Sequence, residues 1–252
     1  MFNTLRRWLG SHKDDTDAPA IVAWAAARGY TAHRDAELGR LSLEGQFSQR
    51  SWRLEYGTPQ HFYMAGRELR MWTDLGLSPA LHLLLMSRSL LDRLETASLD
   101  LRNSASRAQA DAASIEDVRC VTTYPRVTLS GSPLLRPHFA MVASEPNAAQ
   151  VWLYGRLGER AAAFAAQALQ AAPFLLMTLR GRLYLHLQAP SLSVDLLEQV
   201  IDLYRVAVER AEEVLANWAE EGEGGWANTL SATWHADDES SVDLVIDKPA
   251  TH

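Results

Sequence analysis

The feature that most constrains this chain is a pair of apolar strands followed at once by a long two-sided helix, at 173–188 and 194–218. FLLMTL at 174–179 and RLYLHLQ at 182–188 flank Arg180 and Gly181, a two-residue turn where glycine supplies positive φ. In the second arm Leu183, Leu185 and Leu187 share one face, while Tyr184, His186 and Gln188 share the other. One face is therefore core. The first arm is apolar on both faces, which places it inside the sheet as a central strand. In the helix, Ser193 is the expected N-cap and Asp195 sits at the positive end of the dipole. Leu197, Val200, Ile201, Tyr204, Ala207, Val208, Ala211, Val214, Leu215 and Trp218 then recur at three- and four-residue spacing. Such a helix laid across an antiparallel sheet buries both apolar faces, which predicts an α+β fold of two-layer antiparallel sheets packed by amphipathic helices.

A looser version of this order occurs earlier, where strand-like residues 39–72 run into a helix-like segment at 79–95. The strand-like pieces are 39–45 with Phe47, then 51–56, then 62–64 with a continuation at 68–72. In the second piece Trp52, Leu54 and Tyr56 alternate with Arg53 and Glu55. Gly57, Pro59 and Gly66 punctuate the run. Ser78 as N-cap and Pro79 at the first position open the expected helix, which carries Leu81, Leu84, Leu85, Leu90, Leu91 and Leu94. An alanine-rich helix at 18–28 precedes the strands, opened by Pro19 and ended by Gly29. The resulting organisation is an N-terminal amphipathic segment and linker at 1–17, a first α+β lobe at 18–97, a linker or helical extension at 98–117, a second α+β lobe at 118–218, and an acidic, loosely ordered tail at 219–252. Strands are expected at 118–129 and 138–143, mostly helix from 147 to 171 with a break at Gly155 or Gly158, and an edge strand at 242–246. The lobes form either a pseudo-repeated pair or one domain with an insertion.

Composition sets limits on function. With 252 residues, 47% of them hydrophobic, the chain can bury a substantial core. A net charge of -7 gives no long-range field attractive to phosphate backbones, so no nucleic-acid partner is expected. The single cysteine, Cys120, excludes an intramolecular disulfide and is compatible with a reducing cytoplasm, the expected compartment. In VRCV at 118–121 it reads as a small hydrophobe in a strand. No uninterrupted apolar run reaches the length of a transmembrane helix. At the N-terminus Phe2, Leu5 and Leu9 share one helical side with Trp8 nearby, while Arg6 and Arg7 interrupt what would be the apolar region of a signal peptide. This segment reads as a docking element for another protein, as a foot on a membrane surface, or as a helix packed on its own domain.

Chemical motifs are sparse. Nucleophile elbows, Walker loops, dinucleotide fingerprints, HExxH and calcium loops are absent from the sequence. Gly155 to Gly158 lacks the residues of a phosphate loop, and LSGS at 129–132 reads as a turn. Of eight histidines, His235 has the most suggestive neighbourhood, with Asp237, Asp238 and Glu239, but in an acidic tail these read as solvated. No metal, no cofactor and no catalytic residue are expected. His82 and His186 lie on patterned elements where they can line a cleft or sit in the core. Arg50, Arg53, Glu55, Arg67, Glu68 and Arg70 read as cross-strand ion pairs, with anion recognition as the alternative. Trp8, Trp72 and Trp226 fall near element ends.

The order helix, three strands, helix at 18–97, followed by two strands and a long helix at 173–218, resembles the type III secretion chaperone-like fold, with 98–172 as an insertion. That resemblance implies an acidic, dimeric protein that binds extended client segments on apolar surface. The expected function is accordingly non-catalytic binding of a protein or peptide partner, in an adaptor or chaperone-like role, with a homodimer as the assembly. The alternatives are a small apolar ligand held in a cavity between the sheet and the 194–218 helix, and a hydrolase or transferase. Candidate partner-binding residues are Tyr184, His186, Tyr204 and Trp218, and candidate N-terminal docking residues are Phe2, Leu5, Trp8 and Leu9.

Overall fold

Eight antiparallel strands in one sheet organise the described residues, in the order β1-β2-β3-β4-β8-β7-β5-β6. The structure is a computed structural model and describes residues 18–35, 37–47, 49–102, 112–129, 132–169 and 171–215. The strands are β1 (Thr31–Asp35), β2 (Arg40–Phe47), β3 (Arg50–Gly57), β4 (Glu68–Asp74), β5 (Leu83–Ser87), β6 (Phe139–Ala143), β7 (Phe174–Leu179) and β8 (Arg182–Gln188). The helices are α1 (Ala18–Ala27), α2 (Arg88–Arg102), α3 (Ala112–Thr123), α4 (Pro146–Leu153), α5 (Arg156–Phe164) and α6 (Val194–Leu215). A π-helical turn at Ala165–Leu169 continues α5. The class is α+β, as the periodicity predicts.

The β7–β8 hairpin inserts between β4 and β5, so strands from 18–97 and from 118–218 are interleaved in a single sheet instead of forming a repeated pair of lobes. Its turn needs positive φ at both residues, 50° at Arg180 and 79° at Gly181. A Cβ on Gly181 would lie 2.8 Å from the Leu77 carbonyl oxygen, so the site also demands the missing side chain. The split of the 147–171 helical region falls at Gly155, whose φ is 74°.

The two faces of the sheet differ. One is apolar apart from a few hydroxyls such as Thr73, Thr178 and Ser87: Leu43, Leu54, Met71, Leu185, Leu176, Leu85 and Met141 are all at or near zero exposure, and α1, α4, α5 and α6 cover them. On the other face α2 and α3 cover only the β5–β6–β7 part, where Leu90, Leu94, Val118 and Cys120 pack on Leu84, Met86, Val142, Leu175 and Met177. A partial third layer thus joins the expected two. The β2–β3–β4–β8 part of that face carries polar and aromatic side chains.

Three expected elements differ in kind. Residues 79–95 do not form one helix: β5 runs first and α2 starts at Arg88, with the Leu90 amide donating to Ser87 Oγ at 3.4 Å. The run LLLMS at 83–87 is buried at every position, and a short all-apolar run of this kind carries no period to separate strand from helix. Residues 118–129 are likewise not a strand. Their first part is the end of α3, where Asp117, Val118 and Cys120 are buried and Val121 and Tyr124 half-buried, a helical spacing against α2. Tertiary packing overrides the strand preference of the β-branched residues there. The strand at 62–64 is a turn, β1 adds an edge that its polar sequence TAHRD did not announce, and the proposed strand at 242–246 lies outside the described residues.

Deleting side-chain volume from the shared core should be costly. Leu185→Ala, at a fully buried position on β8, is expected to lower unfolding free energy by about 2–5 kcal/mol. Leu134→Ala, at a position 73% exposed, should change it by no more than about 0.5 kcal/mol, both read from urea denaturation.

Candidate functional site

The loop between β3 and β4, residues 58–67, folds back over the partly polar face and closes a buried cluster around Glu68. In the β4–β8 register Glu68 stands opposite Gln188, Arg70 opposite His186 and Trp72 opposite Tyr184, so all six share one face. Glu68 has no exposed surface. Its Oε1 accepts from His61 Nδ1 at 2.6 Å and from His186 Nδ1 at 3.1 Å, with the ring protons assigned to Nδ1, and its Oε2 accepts from the Gln60 amide at 2.7 Å. The rings of His61 and His186 meet edge to face with centroids 4.3 Å apart.

The loop is fastened at both ends of this cluster. Gln188 Oε1 accepts from the Ala65 amide at 2.9 Å. His61 stacks on Tyr63, whose hydroxyl donates to Asp117 Oδ2 of α3 at 2.5 Å, and Arg93 of α2 donates to the Tyr63 carbonyl at 2.7 Å. One continuous polar chain therefore ties the α2–α3 pair, the loop and the centre of the sheet together. Next to it Arg70 donates to Glu55 Oε2 at 2.9 Å, and Glu55 also holds Arg53 at 3.0 Å. The expected cross-strand ion pairing is present among these, except that Glu68 turns to histidines instead of an arginine.

Burial works against the Glu68 charge, but the hydrogen bonds from His186 and His61 outweigh it and hold the carboxyl well below the usual carboxylate range. Burial likewise pushes His186 down, to about 4, against the opposing pull of Glu68. The arrangement is an anionic carboxylate flanked by imidazoles. One ring nitrogen each of His61 and His186 and a Glu68 oxygen all lie within 4.8 Å of one another, a donor set of the kind that holds a divalent ion.

The residues singled out from the sequence have different fates. Tyr184 and His186 are side by side, rings stacked at 6.2 Å, with Tyr184 half-buried. Tyr204 is across the sheet from them, fully buried, its hydroxyl donating to the Leu183 carbonyl at 2.7 Å. Leu183, Leu185, Leu187, Val200 and Ala207 fill the layer between α6 and the sheet, where a ligand cavity was the alternative expectation. Trp218, Phe2, Leu5, Trp8, Leu9 and His235 lie outside the described residues. His82 is half-buried at the other end of the sheet, with Tyr124 Oη 2.9 Å from its Nδ1. His61 carried no sequence signal beyond its place in a punctuated loop. Glu68 and His186 were both visible on polar strand faces, but not as neighbours. Cys120 is buried in α3, and burial together with Asp117 pushes its thiol up to about 12, so it is a packed hydrophobe and not a nucleophile.

Two measurements probe these environments. In protein freed of divalent ions, the unfolded chain takes up protons on His186 near pH 6.5 and on Glu68 near pH 4.5, before the folded chain does. Their contribution to stability is therefore fully present above pH 6.5, falls as His186 is approached at about 4, and falls further as unfolded carboxylates titrate. Urea midpoints at pH 7.5, 5.5 and 4 should decrease in that order, with a flatter profile for His186→Gln. Cys120 should resist a thiol-reactive disulfide at neutral pH in the folded protein and react at once in denaturant.

No family model matches the sequence, and no curated protein is similar to it at a significant level. Among solved structures, the crystal structure of the mycobacterial trehalose monomycolate transport factor A, TtfA, aligns with a TM-score of 0.43 and 9% identity, over 75% of this chain and 91% of that one. A likeness this distant carries no argument about function. No helix among the described residues is long and apolar enough to cross a membrane.

Proposed function

We propose that this protein is a non-catalytic binding protein that holds an extended, acidic segment of a partner protein in a groove at the β1 side of the sheet. The observation that supports this reading is the groove itself, about 730 Å³, which among the described residues gathers Arg28, Arg53 and Arg182 with the indoles of Trp52 and Trp72, and the carboxylates Glu44 and Asp74.

The arginines are held by surface ion pairs. Arg53 is 3.0 Å from Glu55 and 3.3 Å from Glu44, with its guanidinium 5.7 Å from the centre of the Trp72 ring, and Arg182 is 3.6 Å from Asp74. Arg28 pairs with Glu198 and lies over Trp24. These groups are close to half exposed, and ion pairs in such settings contribute little stability. Incoming carboxylates of a partner can therefore take over the guanidiniums at small cost, in bidentate geometry. The net charge of -7 opposes an acidic partner at long range, so recognition of this kind is short-range and depends on the local arginines.

Backbone geometry favours an extended occupant. β1 pairs with β2 only as far as Glu44, and β2 continues through Gly45 and Gln46 along the groove. The edge of β2 beyond that point is positioned for strand addition, the mode in which main-chain hydrogen bonds supply affinity and side-chain contacts supply specificity. Gly45 shapes the wall: a Cβ there would lie 2.4 Å from the Trp52 ring, so its absence lets that indole pack between Tyr30 and Phe47.

Fluorescence anisotropy with labelled extended peptides of equal length, acidic, neutral and basic, tests the reading. Acidic peptides should bind best, and Arg53→Glu combined with Arg182→Glu should weaken them about 10-fold or more while leaving thermal unfolding close to wild type. Equal binding of all three peptide classes, or acidic binding untouched by the double variant, would remove the basis for the proposal.

A further inference from the structure

We propose that His61, Glu68 and His186 form a binding site for one zinc ion, with Nδ1 of each histidine and a Glu68 carboxylate oxygen as ligands. The three donors come from three separate pieces of backbone, the 58–67 loop, β4 and β8, and a framework of hydrogen bonds holds each piece in place. Convergence from separate, rigid elements is what distinguishes a metal site from side chains that are merely close in sequence, such as His235 and its acidic neighbours.

Distances favour zinc. Tetrahedral zinc with bonds of about 2.0–2.1 Å sets its ligand atoms roughly 3.3 Å apart. The two Nδ1-to-carboxylate separations are 2.6 and 3.1 Å, and one ligand atom from each of the three residues lies within 4.8 Å of the others. Inserting the ion requires the donors to open or close by amounts that χ rotations and small shifts of the loop can supply. Both rings are set with Nδ1 toward the carboxylate, so moving the proton off each Nδ1 frees the lone pair that would bind the ion. Two imidazoles and one carboxylate suit zinc and match neither magnesium nor calcium, which need several oxygen ligands.

The surroundings complete the site. The Gln60 amide fixes the second Glu68 oxygen at 2.7 Å, orienting the carboxylate as an outer-shell partner does. Arg70, opposite His186 in the strand register, pairs with Glu55 at 2.9 Å, and Glu68 brings a negative charge that a dication can use. Three protein ligands leave the fourth tetrahedral position for water or an incoming group. The cluster lies beside Tyr184 and Trp72 on the same sheet face as the proposed partner groove, yet it stands independently of that reading.

The test uses the full chain, stripped with a chelator, desalted and equilibrated with zinc chloride. Elemental analysis after gel filtration should find about one zinc per chain, with zinc raising the melting temperature and magnesium leaving it unchanged. His61→Asn and His186→Asn should each lose at least about 100-fold in zinc affinity, while His235→Asn binds as wild type. Cobalt(II) supplies a readout on the wild-type protein in case a variant fails to fold: it should give the visible absorption of a four-coordinate nitrogen and oxygen site, displaced by zinc. No zinc retained by the wild type, an octahedral cobalt spectrum, or loss of binding in His235→Asn with retention in His61→Asn would overturn the proposal.

Discussion

Pairing between β4 and β8 is the constraint on which the rest of the structure depends. These strands are more than a hundred residues apart in sequence, and their ladder, with Met71 opposite Leu185 and Arg70 opposite His186, joins the N-terminal meander to the rest of the sheet. Because side chains alternate with a period of two, the register is not free to slip by one residue. A slip would carry Leu183, Leu185 and Leu187 out of the α6 interface and drive Tyr184 and His186 into it. The same register that buries the leucines therefore sets His186 within reach of Glu68, so the polar cluster is a by-product of core packing before it is anything else.

Once that register is set, the second face of the sheet has to be resolved in two ways. Where β5, β6 and β7 present leucine and methionine, α2 and α3 cover them. Where β3, β4 and β8 present Glu55, Glu68, Arg70 and His186, no apolar cover would do, because a buried carboxylate without donors is strongly unfavourable. The 58–67 loop supplies the missing partners, bringing the Gln60 amide and His61 to Glu68 and anchoring itself to α3 through Tyr63 and Asp117. Such a network is rigid when every member is satisfied and fails as a unit when one is removed. Its outer margin, at Arg53, Trp72 and Tyr184, is only partly covered and leads into the arginine-lined groove.

Much of the fold was legible because amphipathic period reports directly which side of an element is buried. The β7–β8 hairpin with its Arg180-Gly181 turn, α6 with Ser193 at its start, β2, β3 and the break at Gly155 were all readable on this basis. Errors fell where the period is silent or contradicted. LLLMS is apolar at every position and reads equally as strand or helix. VRCVTT has β-branched residues but packs in α3 because α2 offers it an apolar face. The polar TAHRD forms β1 because backbone hydrogen bonds, blind to side-chain identity, need only the free edge of β2. The site was legible in part: Glu68 and Arg70 were recognised as polar-face residues of the first sheet region, and His186 as the polar face of the last hairpin.

By itself the sequence determined the faces of the periodic elements: which residues of β2, β3, β8 and α6 must be buried, that the chain is α+β, and that His186 and Glu68 each stand away from the apolar side. Only the tertiary structure decided which strands are neighbours, how the hairpin enters between β4 and β5, and that a loop histidine joins two strand residues around one carboxylate. The reason is physical. Alternation of polar and apolar residues is a local property that any strand carries along its own length, whereas strand partnership is chosen by the collective packing of side chains far apart in sequence. A site assembled across such partnerships exists only after that choice has been made.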